Sequence, residues 1–178
     1  MKIKYLIIFL TILISSNSLF SQTVKWMSIE EAMEKSKSQK RKIFIDVYTD
    51  WCGWCKVMDR ETFAAPFIAE YLNKYYYPVK FNAEQKKDIV FKSQVYSYIK
   101  NGNSGYHNFA AQIMRGKLSY PTSVFLDENL NLIQPLPGYL KPEDFEKIMT
   151  YFALDKYKDT PWPNYERNYA SPVNKKKD

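Results

Sequence analysis

The sequence is poor in the residues from which covalent cross-links and metal sites are built: its 178 residues include two cysteines and one histidine. Cys52 and Cys55 stand three apart, so no thiol is left over for a structural disulfide framework. Zinc takes about four Cys, His or carboxylate ligands, and one Cys-x-x-Cys pair with a distant His107 does not supply them. The cysteines are therefore read as redox groups, and no metal or cofactor is expected. A long hydrophobic run is also lacking. The apolar stretch 5–14 is well short of the roughly 20 residues that span a bilayer as a helix. Lys2 and Lys4 precede it and the small polar residues 15–21 follow, which is the layout of a secretory signal peptide. Cleavage is expected near Gln22, with export to the periplasm or beyond and no stable membrane anchor. The formal charge is +7, but the lysines and arginines are interleaved with acids along the chain rather than gathered into a stripe. Nucleic acid is excluded as a partner on that ground.

What remains is enough for one domain, expected over residues 22–154 after the signal segment 1–21. Ser28 followed three residues later by Glu31 has capping-box spacing, and a helix over about 29–38 is predicted. The β-branched and aromatic run from Ile43 to Tyr48 predicts a central strand buried on both sides. It stops at Thr49-Asp50, and the run Trp51-Cys52-Gly53-Trp54-Cys55-Lys56 leads into a helical pattern as far as Phe63, with Pro66 breaking it. A strand follows over 76–82. Residues 88–98 favour a small β-hairpin, and the loop Asn101-Gly102-Asn103-Ser104-Gly105 precedes a helix over about 107–115 ended by Gly116. Strands at 122–126 and 130–134, joined by a tight turn, must be antiparallel. A last helix starts at Pro142. Residues 155–178 carry Pro161, Pro163, Pro172 and three terminal lysines, and are expected to be an extended or disordered basic tail. Tyr157, Trp162 and Tyr165 are its candidate points of attachment.

The chemistry lies at the strand-to-helix turn. A thiolate attacks disulfides, and a free cysteine with a pKa of about 8.5 is mostly protonated at neutral pH. Unpaired N–H groups at a helix start favour the anion at Cys52. Cys55, one turn further in, is the natural resolving thiol.

In these features the chain resembles the thioredoxin superfamily over roughly residues 24–154, with an added segment at about 84–105. The Trp-Cys-x-x-Cys-Lys run follows a central strand, Asp46 stands six before the first cysteine, and Lys80 lies in the next strand. Tyr120-Pro121-Thr122 occupies the place of the family's cis-proline loop, and Gly138 precedes the last helix. The resemblance implies an α/β fold of thioredoxin type, with a mixed sheet, helices on both faces and Cys52 as nucleophile. It also implies that Asp46 accepts the Cys55 proton, that Lys80 moderates that carboxylate, and that Trp51, Gly53, Trp54, Tyr120 and Pro121 meet the substrate. The bland alternatives are a strand-end carboxylate satisfied by backbone at Asp46, a surface lysine at Lys80, and apolar cover from the two tryptophans. His107 is expected on the surface at a helix start. The implied activity is thiol-disulfide exchange on disulfide-containing exported proteins, as a reductant or moderate exchanger, with electrons from a membrane-embedded donor. A non-catalytic thioredoxin-like binding module and a copper carrier using both cysteines are the rival readings.

Overall fold

The structure, a computed structural model, describes residues 23–171. The expected signal segment and its cleavage point, like the terminal lysines, lie outside the described residues. Helix α1 (Ile29–Ser38) starts at the capping box, with Ser28 Oγ accepting from the Glu31 N–H and Glu31 Oε2 accepting from the Ser28 N–H. Strand β1 (Lys42–Tyr48) then runs into helix α2 (Gly53–Met58), which widens into a π-turn at Asp59–Phe63. Pro66 opens helix α3 (Pro66–Tyr75), where its missing N–H costs nothing. Strand β2 (Tyr76–Asn82), two short hairpins, helix α4 (Asn108–Ile113), strands β7 (Thr122–Leu126) and β8 (Leu132–Pro137), and helix α5 (Pro142–Ala153) complete the main body.

The main sheet has the order β2-β1-β7-β8, so β1 is interior as its apolar run requires. It pairs parallel with β2 and antiparallel with β7, and β7 pairs antiparallel with β8. Alternation along β1 divides the core. Ile43, Ile45 and Val47 face one apolar cluster with Ile29 of α1 and Phe109 and Ile113 of α4. Phe44 faces the other, with Met58, Phe63, Leu72, Phe125 and Phe145. Asp46 shares the parity of Phe44, so the chain directs a carboxylate into the face that carries α2. This is the mixed α/β arrangement expected, with helices on both faces.

Four expectations need correction. The segment before α4 holds two hairpins, β3 (Ile89–Phe91) with β4 (Gln94–Tyr96) and β5 (Tyr98–Asn101) with β6 (Ser104–His107). The glycine-rich stretch read as a loop is the turn and second arm of the latter, with Gly102 at φ 59 in the turn. The strand expected at 130–134 starts at Leu132, because Asp127 Oδ1 accepts from the N–H groups of both Asn129 and Asn131 and lengthens the turn. His107 is fully buried rather than exposed. Its Nδ1 accepts from the Phe109 N–H, and Nε2 faces the Lys87 carbonyl at 3.1 Å, which places the ring proton on Nε2. Burial pulls its pKa below the usual value, and the neutral ring clips the hairpins to α4.

The fourth correction concerns the tail. Lys156–Lys158 form a 3-10 turn and Trp162–Arg167 a helix, α6. Tyr151 packs against Trp162 and Tyr165 at ring distances of 5.2 and 4.9 Å. Its hydroxyl donates to the Thr160 carbonyl. The buried Lys42 ammonium is shared by Glu128 and Asp155 at 2.6 and 3.0 Å, which fastens the exit of α5 to the start of β1. These anchors are single aromatic and ionic contacts without helical period, so the order of this segment leaves no apolar repeat in the sequence.

Candidate active site

Cys52 and Cys55 form a disulfide at the junction of β1 and α2. Cys52 is the N-cap of α2, and its Sγ accepts from the Cys55 N–H at 3.1 Å. That donor is one of the groups a helix start leaves unpaired, so it would meet a thiolate at Cys52 when the pair is reduced. The turn is held from behind, with the Cys52 N–H donating to the Thr49 carbonyl. Both cysteines are buried in this oxidised form. Position at the helix start, rather than exposure, separates them.

Asp46 is 1% exposed. Lys80, its direct cross-strand partner, donates to Asp46 Oδ2 at 2.6 Å. Oδ1 has no partner, and neither has the buried hydroxyl of Ser123, which stands opposite Asp46 on β7. Burial pushes the Asp46 carboxyl up to about 6, against the attraction of Lys80 and with help from the charge of Asp59. A buried acid titrating near neutral pH has the proton affinity a general base needs. Burial pulls the Lys80 pKa down, but Asp46 and Asp59 together outweigh it and raise the value. The lysine is neither a plain surface residue nor bound to Asp46 alone. It also pairs with Asp59, and its Nζ lies 5.1 Å from the Trp26 ring and 5.0 Å from that of Tyr48. Sequence reasoning missed Asp59, although its place four residues beyond Cys55 sets it one helical turn further on the same face.

The rim is aromatic. Trp51 and Trp54 are 67% and 61% exposed, so neither works as buried cover. Trp51 meets Tyr120 edge to face at 5.9 Å, and its Nε1–H donates to Glu84 Oε1 at 2.9 Å. Trp54 leans on Tyr139 at 5.4 Å, and the Tyr139 hydroxyl donates to Glu61 Oε2. Between the tryptophans, a Cβ at Gly53 would meet nothing within 4 Å, so the space beside Gly53 is open. The Tyr120-Pro121 peptide bond is cis, and the Pro121 carbonyl accepts from the N–H of Gly138, whose φ is 98. Glu84, Tyr139 and Glu61 were not legible as site residues, since each reaches the rim through a tertiary contact. Among the described residues no group of three or more His, Cys, Asp and Glu could hold a metal ion, and no helix is long and apolar enough to cross a membrane.

The Thioredox_DsbH family model, described as "Protein of unknown function, DUF255", matches residues 15–170. An uncharacterised Caenorhabditis elegans protein, B0495.5, is 26% identical over 135 residues, 75% of this chain and 16% of the worm protein. Human spermatogenesis-associated protein 20 is 29% identical over 118 residues, 65% of this chain and 13% of its own length. The chain thus spans less than a fifth of these relatives. Among solved structures, a thioredoxin-fold protein from Helicobacter pylori superposes with a TM-score of 0.56 at 19% identity, covering 72% of this chain and 79% of that one. A structure titled "DsbH Oxidoreductase" gives 0.51 at 17% identity, covering 75% and 85%. At these identities the likeness is one of fold, and the fold is that of thioredoxin.

Proposed function

Because the chain belongs to the thioredoxin-like DUF255 family, we propose that it is a thiol-disulfide oxidoreductase working through Cys52 and Cys55. The observation that carries this reading is the disulfide-forming pair at a helix start, with the buried Asp46 carboxyl on the sheet face that α2 covers. In the reducing direction, the Cys52 thiolate attacks one sulfur of a substrate disulfide. The substrate S–S bond breaks, a mixed disulfide forms, and the departing substrate thiolate takes up a proton. Cys55 then loses its proton to Asp46 and attacks Cys52 Sγ, which expels the second substrate thiolate. The substrate has gained two electrons and the protein has lost them, ending as the Cys52-Cys55 disulfide. Lys80 holds Asp46 in place and limits how far burial raises its proton affinity.

The substrates are proposed to be disulfides of exported proteins, met in the periplasm or outside the cell after removal of the segment 1–21. A membrane-embedded thiol-disulfide partner would return the two electrons. Trp54 brings no positive charge to the space between the cysteines, so it does not favour the reduced thiolate as a charged neighbour would. The pair is assigned to the reducing or moderate range on that ground. Trp51, Trp54, Tyr120 and the open space over Gly53 would receive the substrate chain.

The test is reduction of insulin disulfides by the purified protein supplied with dithiothreitol, beside a glutathione redox titration of the Cys52-Cys55 pair. Turnover dependent on both cysteines is expected. A folded, reducible protein without turnover would overturn the enzyme reading in favour of a binding module, and stoichiometric copper held by both cysteines would favour a carrier.

A further inference from the structure

The two sides of the disulfide are built alike in aromatic rings and differently in charge. Beside Trp54, the Glu61 carboxylate that holds Tyr139 is itself met by Arg60 at 3.3 Å. Beside Trp51, Glu84 holds the indole through one carboxylate oxygen, and none of the ion pairs among the described residues includes Glu84 or Asp50. The lysines that follow Glu84 in the chain are turned elsewhere: Lys86 Nζ lies 5.9 Å from the Tyr98 ring, and Lys87 pairs with Glu30. The Glu84 charge reaches Tyr120, whose pKa is raised by burial first and by Glu84 second. Trp51 therefore presents an exposed ring whose indole nitrogen is held by a carboxylate that takes part in none of the ion pairs among the described residues, and Glu84 belongs to the segment that the fold alone does not require.

We propose that Glu84, Trp51 and Tyr120 form a subsite for a cationic side chain, so that the protein selects disulfides whose cysteine is flanked by lysine or arginine. The proposal rests on thiol-disulfide exchange at Cys52-Cys55 and names the substrate class of that site. A cation over the Trp51 ring gains from its negative face and from the carboxylate at its edge. An acidic neighbour would be repelled by Glu84. An apolar one would cover the ring while stripping water from a carboxylate and giving it no partner. Ring and exposed ion-pair attractions of this kind amount to a preference of about fivefold to tenfold.

The experiment uses the reduced full chain and three synthetic peptide disulfides that differ only in the residue beside the attacked cysteine: lysine, alanine or glutamate. Rate constants are measured at low and high salt for the wild type, Glu84→Gln and Glu84→Lys. Glutamine keeps an oxygen to accept from Trp51 Nε1 and removes the charge. In the wild type the lysine peptide should react about fivefold faster than the alanine peptide, with the advantage shrinking in salt. The ratio should fall toward one in Glu84→Gln and invert toward the glutamate peptide in Glu84→Lys. Because lysine beside the attacked cysteine also makes its sulfur a better electrophile and, when Cys55 attacks, a better leaving group, the decisive quantity is the change in ratio between variants. A wild-type ratio near one, or a ratio that neither substitution alters, overturns the subsite. If the alanine peptide still reacts, the exchange reading survives that failure; if no peptide reacts, both fall together.

Discussion

Asp46→Asn should stabilise the oxidised protein at neutral pH while impairing its chemistry. The Asp46 pKa is displaced from the ordinary 3.8 to about 6, a difference that corresponds to about 3 kcal/mol. The Lys80 attraction is already contained in that difference, since the lysine pulls the value down and the rise is what survives it. The sign follows from which state binds more protons. Between the two pKa values the folded protein holds a proton that the unfolded chain has released, so stability falls as pH rises through that window. Below about pH 4 the carboxyl is neutral in both states and costs nothing, and above about pH 6 the full cost applies. Asparagine is neutral at every pH and close to the acid in shape. Its advantage should therefore be near zero at pH 4 and approach about 3 kcal/mol at pH 7. Urea unfolding of oxidised wild type and variant at several pH values reads this directly. An Asp46→Asn protein less stable at pH 7, or an advantage that does not change with pH, would refute the reasoning. The same variant should reduce disulfides more slowly, with the largest loss where Cys55 is still protonated.

Cys52→Ser should abolish exchange, whereas Cys55→Ser should stall as covalent adducts that reductant removes on gels; equal trapping by both would refute the division of roles. Asp59→Asn leaves Lys80 wholly to Asp46 and removes a charge that raises the Asp46 pKa. The acid limb of the pH-rate profile should then move to lower pH, and an unmoved limb would show that Asp59 plays no part. Trp54→His should make the pair more oxidising in a glutathione titration, and a potential unchanged or more negative would remove the argument from charge between the cysteines.

The parts of the molecule legible in the sequence are those written in short-range pattern. Ser28 and Glu31 mark a helix start by spacing alone, the run 43–48 marks an interior strand by its lack of polar alternation, Pro66 interrupts the helical pattern before it, and Pro142 opens the last long helix as expected. The two cysteines could be read from their spacing, whereas Asp46 and Lys80 were implied by the resemblance to the thioredoxin superfamily, and the register of β1 and β2 is what sets that pair side by side. The residues that escaped are joined across the fold. Glu84 and Tyr139 reach the rim from distant segments, and His107 reads as polar until two backbone groups are seen to satisfy its ring in the interior. The chain after Leu154 escaped for a related reason, since Trp162 and Tyr165 are held by stacking on Tyr151 rather than by a repeating apolar stripe.

Strand β8 forms one border of the main sheet and carries Pro135 and Pro137. Residues two apart point their main-chain nitrogens to the same side, so both prolines take donors away from one side of that strand. At the opposite border, β2 is overlaid by the chain around Met27, whose N–H donates to the Pro78 carbonyl and whose carbonyl accepts from the Lys80 N–H. Neither border offers a stranger a full ladder on which to grow. Under the proposed function, an extended substrate segment that reaches the Cys52-Cys55 pair would meet a sheet on which it gains no permanent place as a fifth strand.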